Sequence, residues 1–164
     1  WNSFDFKSKA NASTYTLTEK QAKGRDFSRS LYIAENIKMP ALEKQKLNRW
    51  IKNIADDYGK KVGDVAYLFC TDKRILEVNK QYLEHDYFTD IITFDYSERN
   101  IISGDIFISL ETVKSNSEEF GVGFNDELHR IIIHGILHLC GQDDKTPELR
   151  QEMTNKENKA LEKL

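Results

Sequence analysis

The sequence predicts an α+β fold, α/β-like in character, with a mixed four-stranded sheet packed against about five helices. Short runs rich in Val, Ile and Phe alternate with longer segments whose apolar residues recur at helical spacing. Their order is strand, helix, strand, helix, strand, strand and then helices, which one helix-covered sheet accommodates. The chain has 164 residues, the size of one ordinary domain.

The first half of the predicted domain alternates strands with amphipathic helices. Proline suits the first turn of a helix, and Thr or Asp suits a helix N-cap. The predicted elements are a strand over 31–34, a helix over 40–58 entered at Pro40, a strand over 65–70, and a helix from Thr71 or Asp72 to about Leu83.

The second half contains two dense apolar strands and the longest apolar helix of the chain. That central helix is expected to carry a metal site at its end. The predicted elements are strands over 91–94 and 104–110, a helix over 111–120, the central helix from Asn125 or Asp126 to Gly141, and a charged helix opening at Thr146 and Pro147.

Residues 1–29 are interpreted as an N-terminal extension, and residues 30–164 as the functional domain. The extension is rich in Lys, Ser, Thr and Asn and shows no sustained period. Tyr15 and Leu17 are compatible with a short strand within it. The first ten residues contain no apolar stretch of the secretory type, so no signal peptide is expected.

Composition excludes several classes of protein. The apolar runs are far shorter than the roughly 20 residues of a membrane span, so no membrane partner is expected. Two cysteines, Cys70 and Cys140, cannot form a disulfide framework, and we expect both to be buried thiols in a cytoplasmic protein. The net charge of −3 neither establishes nor excludes a nucleic-acid partner.

The segment 134–144 carries the strongest chemical signal. His134 and His138 are four residues apart on the central helix, so their side chains project from one face and can bind one metal ion. Gly141 follows three residues later, where a left-handed residue can end the helix and turn the chain back. Asp144 would then supply a third ligand. Asp143 is the alternative, and two buried core histidines without metal are another.

This spacing resembles the long metzincin signature, in which a glycine also supplies the turn before the last ligand. Position 135 is Gly, whereas zinc proteases carry there the Glu that acts as general base. A zinc-dependent peptidase or amidase would need a base from elsewhere. Three protein ligands with an open position for water still describe a catalytic zinc, and such a water can attack a phosphodiester as well as a carbonyl.

The same segment closely resembles the motif of the YbeY family of bacterial endoribonucleases, H-G-x-L-H-L-x-G-x-D-H. Further blocks resemble that family in the same order, and the resemblance covers about 31–164. These blocks are Leu76-Glu77-Val78-Asn79 with Tyr82, then Asp86-Tyr87-Phe88-Thr89-Asp90-Ile91-Ile92-Thr93-Phe94, and then Gly104-Asp105-Ile106.

The resemblance implies a single-strand-selective, metal-dependent endoribonuclease that acts in ribosomal RNA maturation, at the 3′ end of the small-subunit RNA, and in ribosome quality control. Its implied partners are ribosomal RNA and the ribosome or ribosome-associated proteins. The family's three zinc-binding histidines correspond to His134, His138 and Asp144, so one zinc ion per chain is expected. An Asp in place of the third His should alter the charge of the site.

A second departure concerns phosphate binding. The family commonly has an Arg after the Tyr that corresponds to Tyr82, and this chain has Leu83 there. We expect His85 or Arg130 to supply a positive contact instead, and no general acid or base is assigned. The remaining alternative is a non-catalytic binding factor in ribosome biogenesis. In such a protein the metal would have only a structural role and would hold the last helices together.

Overall fold

A computed structural model describes residues 3–6, 29–83 and 90–164. Within these ranges the chain forms one mixed sheet and five α-helices, and the predicted α+β architecture with its mixed sheet is confirmed. The strands are β1 (Ser3–Phe6), β2 (Arg29–Ala34), β3 (Lys61–Cys70), β4 (Ile91–Asp95) and β5 (Ile101–Ser109). The helices are α1 (Lys44–Asp57), α2 (Asp72–Leu83), α3 (Leu110–Phe120), α4 (Phe124–Leu139) and α5 (Pro147–Glu162).

The strands lie in the order β1-β4-β5-β3-β2. Neighbouring strands are parallel except β4 and β5, which are antiparallel. The four strands predicted from residue 30 onward are all present. Strand β1 adds an edge strand from the predicted extension, with Ser3 aligned to Ile91. Tyr15 and Leu17 lie outside the described residues.

Two apolar layers enclose the sheet. The larger layer joins α1, α3, α4 and α5 to one face, through side chains such as Trp50, Ile106 and Ile132. The smaller layer joins α2 to the other face, through Ile75 and Phe107 among others. Every residue of β4 is buried, as expected for a strand covered on both faces. None of the helices in the described ranges is long and apolar enough to cross a bilayer.

Helix α4 lies close to the sheet because two glycines remove side chains at the contact. A Cβ on Gly135 would lie 3.0 Å from Cδ1 of Ile91 and 3.1 Å from Cδ1 of Ile106. A Cβ on Gly104 of β5 would lie 2.9 Å from Cδ2 of Leu139. This close approach fixes the height of α4, and therefore of its two histidines, above the strands.

Two helix starts differ from the prediction. Helix α1 begins at Lys44 rather than near Pro40, since Ile37, Met39 and Leu42 pack against the core from an irregular segment. Helix α4 begins at Phe124 with Gly123 as its N-cap residue, slightly ahead of the predicted caps. Neither difference moves the part of α4 that carries the histidines.

Candidate metal centre

The C-terminal end of α4 brings His134 and His138 together. Their Nε2 atoms are 3.0 Å apart, and the ring planes are inclined by 80°. Both side chains are buried, with 2% and 1% of their surface exposed. The apolar residues around them on α4 hold this face of the helix against the core.

Gly141 returns the chain toward the histidines. Its φ is 101°, a left-handed conformation that suits glycine, and its N–H donates to the carbonyl of His138 at 2.9 Å. The carboxylate of Asp143 then accepts hydrogen bonds from the backbone N–H groups of Asp144 at 2.7 Å and Lys145 at 3.0 Å. This turn presents the side chain of Asp144 to the two imidazoles.

Asp144 completes a compact triangle of donor atoms. Its Oδ2 lies 3.4 Å from Nε2 of His134 and 3.3 Å from Nε2 of His138. Ligands at about 2.0–2.1 Å from a tetrahedral zinc ion are about 3.3 Å from each other. The three atoms therefore match one face of a zinc tetrahedron, and two imidazoles with one carboxylate are donors that zinc accepts.

A second carboxylate lies behind the first imidazole. Oε2 of Glu157, on α5, is 2.6 Å from Nδ1 of His134, and Oε1 of Glu157 is 2.9 Å from Nη1 of Arg130. Nη2 of Arg130 donates to Oδ1 of Asn158 at 2.8 Å. Burial opposes a charge on His134, but hydrogen bonds to Asp144 and Glu157 hold the pKa of its imidazole above the ordinary value.

Sequence reasoning missed Glu157. It predicted a charged last helix and named no buried carboxylate within it, whereas the buried positions of α5 are Met153, Glu157 and Ala160. Glu157 is four residues after Met153 and three before Ala160, so all three lie on the same buried face of this helix. An acidic residue at such a position is the signal that could have identified it.

The other histidine and cysteine side chains of the described residues lie outside this triangle of donor atoms. His129 packs edge-on against Trp50, with ring centroids 6.1 Å apart. Cys140 is a free, partly buried thiol, and burial raises its pKa to about 11. Cys70 is a free and fully buried thiol. His85 lies outside the described residues.

Known proteins resemble the chain over most of its length. Residues 32–164 match the family model described as Endoribonuclease YbeY. A Bacteroides thetaiotaomicron protein named Endoribonuclease YbeY is 58% identical over 79% of this chain and 95% of its own. One of the same name from Parabacteroides distasonis is 61% identical over 79% of this chain and 92% of its own.

A solved structure supports the same relationship. A Thermotoga maritima protein determined in solution superposes with a TM-score of 0.59 at 28% sequence identity. The match covers 82% of this chain and 88% of that protein. The overall fold described above is therefore similar to that of the Thermotoga maritima protein.

Proposed function

Because the chain belongs to the YbeY endoribonuclease family, we propose that it is a zinc-dependent endoribonuclease that cleaves single-stranded ribosomal RNA. Its proposed metal ligands are His134, His138 and Asp144. The observation that carries the proposal is the spacing of their three donor atoms, which fits one face of a zinc tetrahedron. The proposed functional domain is 30–164, which nearly coincides with the family match.

The role proposed for the protein is maturation of the 3′ end of the small-subunit RNA in the cytoplasm, together with ribosome quality control. The name that the relatives carry, Endoribonuclease YbeY, supports RNA cleavage, and the ribosomal role is what the resemblance to that family implies. Single-stranded RNA suits a compact metal centre, because its unstacked backbone can approach the metal site without recognition of a double-helical groove.

A zinc ion bound here would polarise a phosphoryl oxygen and lower the pKa of water in its open position. The fold positions the three side chains that would bind the zinc ion. The imidazoles of His134 and His138 are fixed by burial, and Asp144 is the most exposed of the three side chains, at 14%. We therefore propose that substrate approaches from the side of Asp144.

Contact with the phosphate is proposed for His85 or for Arg130. Both terminal nitrogens of Arg130 are engaged, by Glu157 and by Asn158. An Arg side chain has five N–H donors, so the guanidinium held by Glu157 and Asn158 keeps donors that can contact a phosphate without leaving these partners. A His85→Ala variant is expected to cleave RNA more slowly while binding the same amount of zinc.

The test of the proposed function compares the native chain with His138→Ala and with His129→Ala. His129 is a matched control, since it lies on the same helix outside the donor triangle. Protein purified without chelator or metal-affinity resin should contain about one zinc per chain. That zinc, and cleavage of a small-subunit RNA fragment, should be lost in His138→Ala and retained in His129→Ala.

Two results would count against the proposal. RNA cleavage that persists in a folded His138→Ala variant would place the nuclease activity at another site or in a contaminant. Absence of zinc from the native chain, with no uptake from added zinc, would leave the two histidines as core residues. Circular dichroism of each variant establishes that the compared proteins are folded.

A further inference from the structure

Glu157 is a buried carboxylate that joins two side chains of a different helix. Only 2% of its side chain is exposed. One carboxylate oxygen faces Nδ1 of His134 at 2.6 Å, and the other faces Nη1 of Arg130 at 2.9 Å. Both oxygens are therefore engaged, and α5 is tied to α4 through a polar contact inside the apolar layer.

The contact with His134 determines which ring nitrogen carries the proton. A carboxylate at Nδ1 can only accept a hydrogen bond, so Nδ1 donates. In the neutral ring, Nε2 is then left with its lone pair, and Nε2 is the atom that faces His138 and Asp144. A metal ion requires a lone pair at that atom, so this tautomer is the binding-competent one.

The contact with Arg130 compensates the charge of Glu157. A buried carboxylate without a partner would be strongly unfavourable. Arg130 lies four residues before His134 on α4, so its guanidinium and the imidazole project from one face of the helix. The carboxylate of Glu157 spans these two groups, and the guanidinium limits the positions that the carboxylate can take.

We propose that Glu157 is a positioning residue, which holds His134 in the tautomer and orientation that bind metal, and that Arg130 holds Glu157 in place. This inference rests on the proposed metal centre. Loss of an outer carboxylate partner of a metal-bound histidine typically weakens metal binding by about 10–100-fold. The same range is expected for Glu157→Gln, and at least as large a loss for Glu157→Ala.

The first measurement is zinc affinity, by competition with a chromophoric chelator. Glu162→Gln is the matched control, because it makes the same change at an exposed position of α5. Arg130→Lys keeps the positive charge but lacks the fork of Arg, and an affinity between those of the native chain and Glu157→Gln is expected. Thermal unfolding of the metal-free proteins separates loss of affinity from loss of fold.

The second measurement is independent of metal. Long-range ¹H–¹⁵N spectra of the histidine rings in the metal-free protein report which nitrogen carries the proton. His134 should be protonated at Nδ1 in the native chain and in Glu162→Gln. In Glu157→Ala that single tautomer should be replaced by a mixture, a change that a purely structural role would not produce.

The outcomes distinguish this inference from the proposed function. A native chain that binds no zinc overturns the proposed function. A native chain that binds zinc, with Glu157→Gln and Glu157→Ala equal to it in affinity and in ring tautomer, overturns the role of Glu157 alone. A 10–100-fold loss of affinity with an altered tautomer, in variants that remain folded, supports it.

Discussion

Nε2 of His134 lies 3.0 Å from Nε2 of His138, within hydrogen-bonding distance. Two ring nitrogens at this distance require one to donate a hydrogen bond and the other to accept it. Since Nδ1 of His134 faces Glu157, His134 is the acceptor and His138 the donor in the neutral pair. The metal-free site is thus held together by a hydrogen bond that zinc would replace.

Substitution of Asp144 tests whether its carboxylate is a ligand. Asp144→Asn removes the charge with little change in size, and because Asp144 is a proposed direct ligand, zinc affinity should fall by at least about 100-fold, which is the upper end of the range for outer partners. Asp144→His supplies a neutral nitrogen donor and should bind zinc more tightly than Asp144→Asn. Chelator competition measures both affinities, and Glu148→Gln, at an exposed position of α5, is the control.

Two outcomes would contradict these expectations. If Asp144→Asn binds zinc as the native chain does, the carboxylate contributes hydrogen bonding to the histidines and no metal bond. If Asp144→His binds more weakly than Asp144→Asn, the turn after Gly141 does not bring an imidazole within reach of the two histidines.

Gly135→Ala is expected to destabilise the fold. The added Cβ would lie 3.0 Å from Cδ1 of Ile91 and 3.1 Å from Cδ1 and Cγ2 of Ile106. Overpacking of a core typically costs about 1–3 kcal/mol, and the better helix propensity of Ala offsets up to about 1 kcal/mol. Urea unfolding should therefore show a net loss of stability of up to about 2 kcal/mol.

A double variant isolates the steric origin of that loss. Ile106→Val removes Cδ1, so Gly135→Ala combined with Ile106→Val should lose less stability than the sum of the two single variants. Additive losses would indicate that Cδ1 of Ile106 is not the source of the cost and would leave Cδ1 of Ile91 as the nearest contact. The same contact explains why position 135 cannot supply the general base of a zinc protease, since a side chain there meets the sheet.

Periodicity and spacing predicted the parts of this fold that are local in the sequence. The i, i+4 histidines, the turn at Gly141 and the buried strand β4 all follow from residues close to one another along the chain. The pairing of Ser3 with Ile91 could not be predicted in this way, because it joins positions 88 apart and depends on the whole sheet. The burial of Glu157 can be predicted from its spacing on α5, but its pairing with His134 could not, because that residue is on another helix.

The N-cap of α5 is a further point where stability can be tested. Oγ1 of Thr146 accepts a hydrogen bond from the backbone N–H of Leu149 at 3.1 Å. Thr146→Ala should cost about 0.5–2 kcal/mol in urea unfolding. Thr154→Ala is the control, because that hydroxyl bonds within the helix to the carbonyl of Arg150 and caps nothing. Equal losses in the two variants would contradict the capping role.

We expect Asp105 on β5 to make stability depend on pH. Its side chain is buried on the sheet face opposite α4, with 1% of the residue exposed. Among the described residues, none donates a hydrogen bond to its Oδ2. Burial raises the pKa of this carboxyl from 3.8 to about 7, although a hydrogen bond with Tyr96 acts in the opposite direction.

The sign of the effect follows from proton binding. Between about pH 4 and the folded pKa of about 7, the folded state keeps a proton that the unfolded state releases, so stability falls as pH rises through this window. Asp105→Asn cannot ionise at this position. It should therefore lose this pH-dependent change in the free energy of unfolding, which is on the order of 3 kcal/mol across the window. Urea unfolding at pH 5 and pH 8 measures it, with Asp126→Asn at an exposed position of α4 as control. The free energy of unfolding of Asp105→Asn, relative to that of the native chain, should be higher at pH 8 than at pH 5. An equal difference at both pH values would show that the carboxyl ionises alike in the folded and unfolded states.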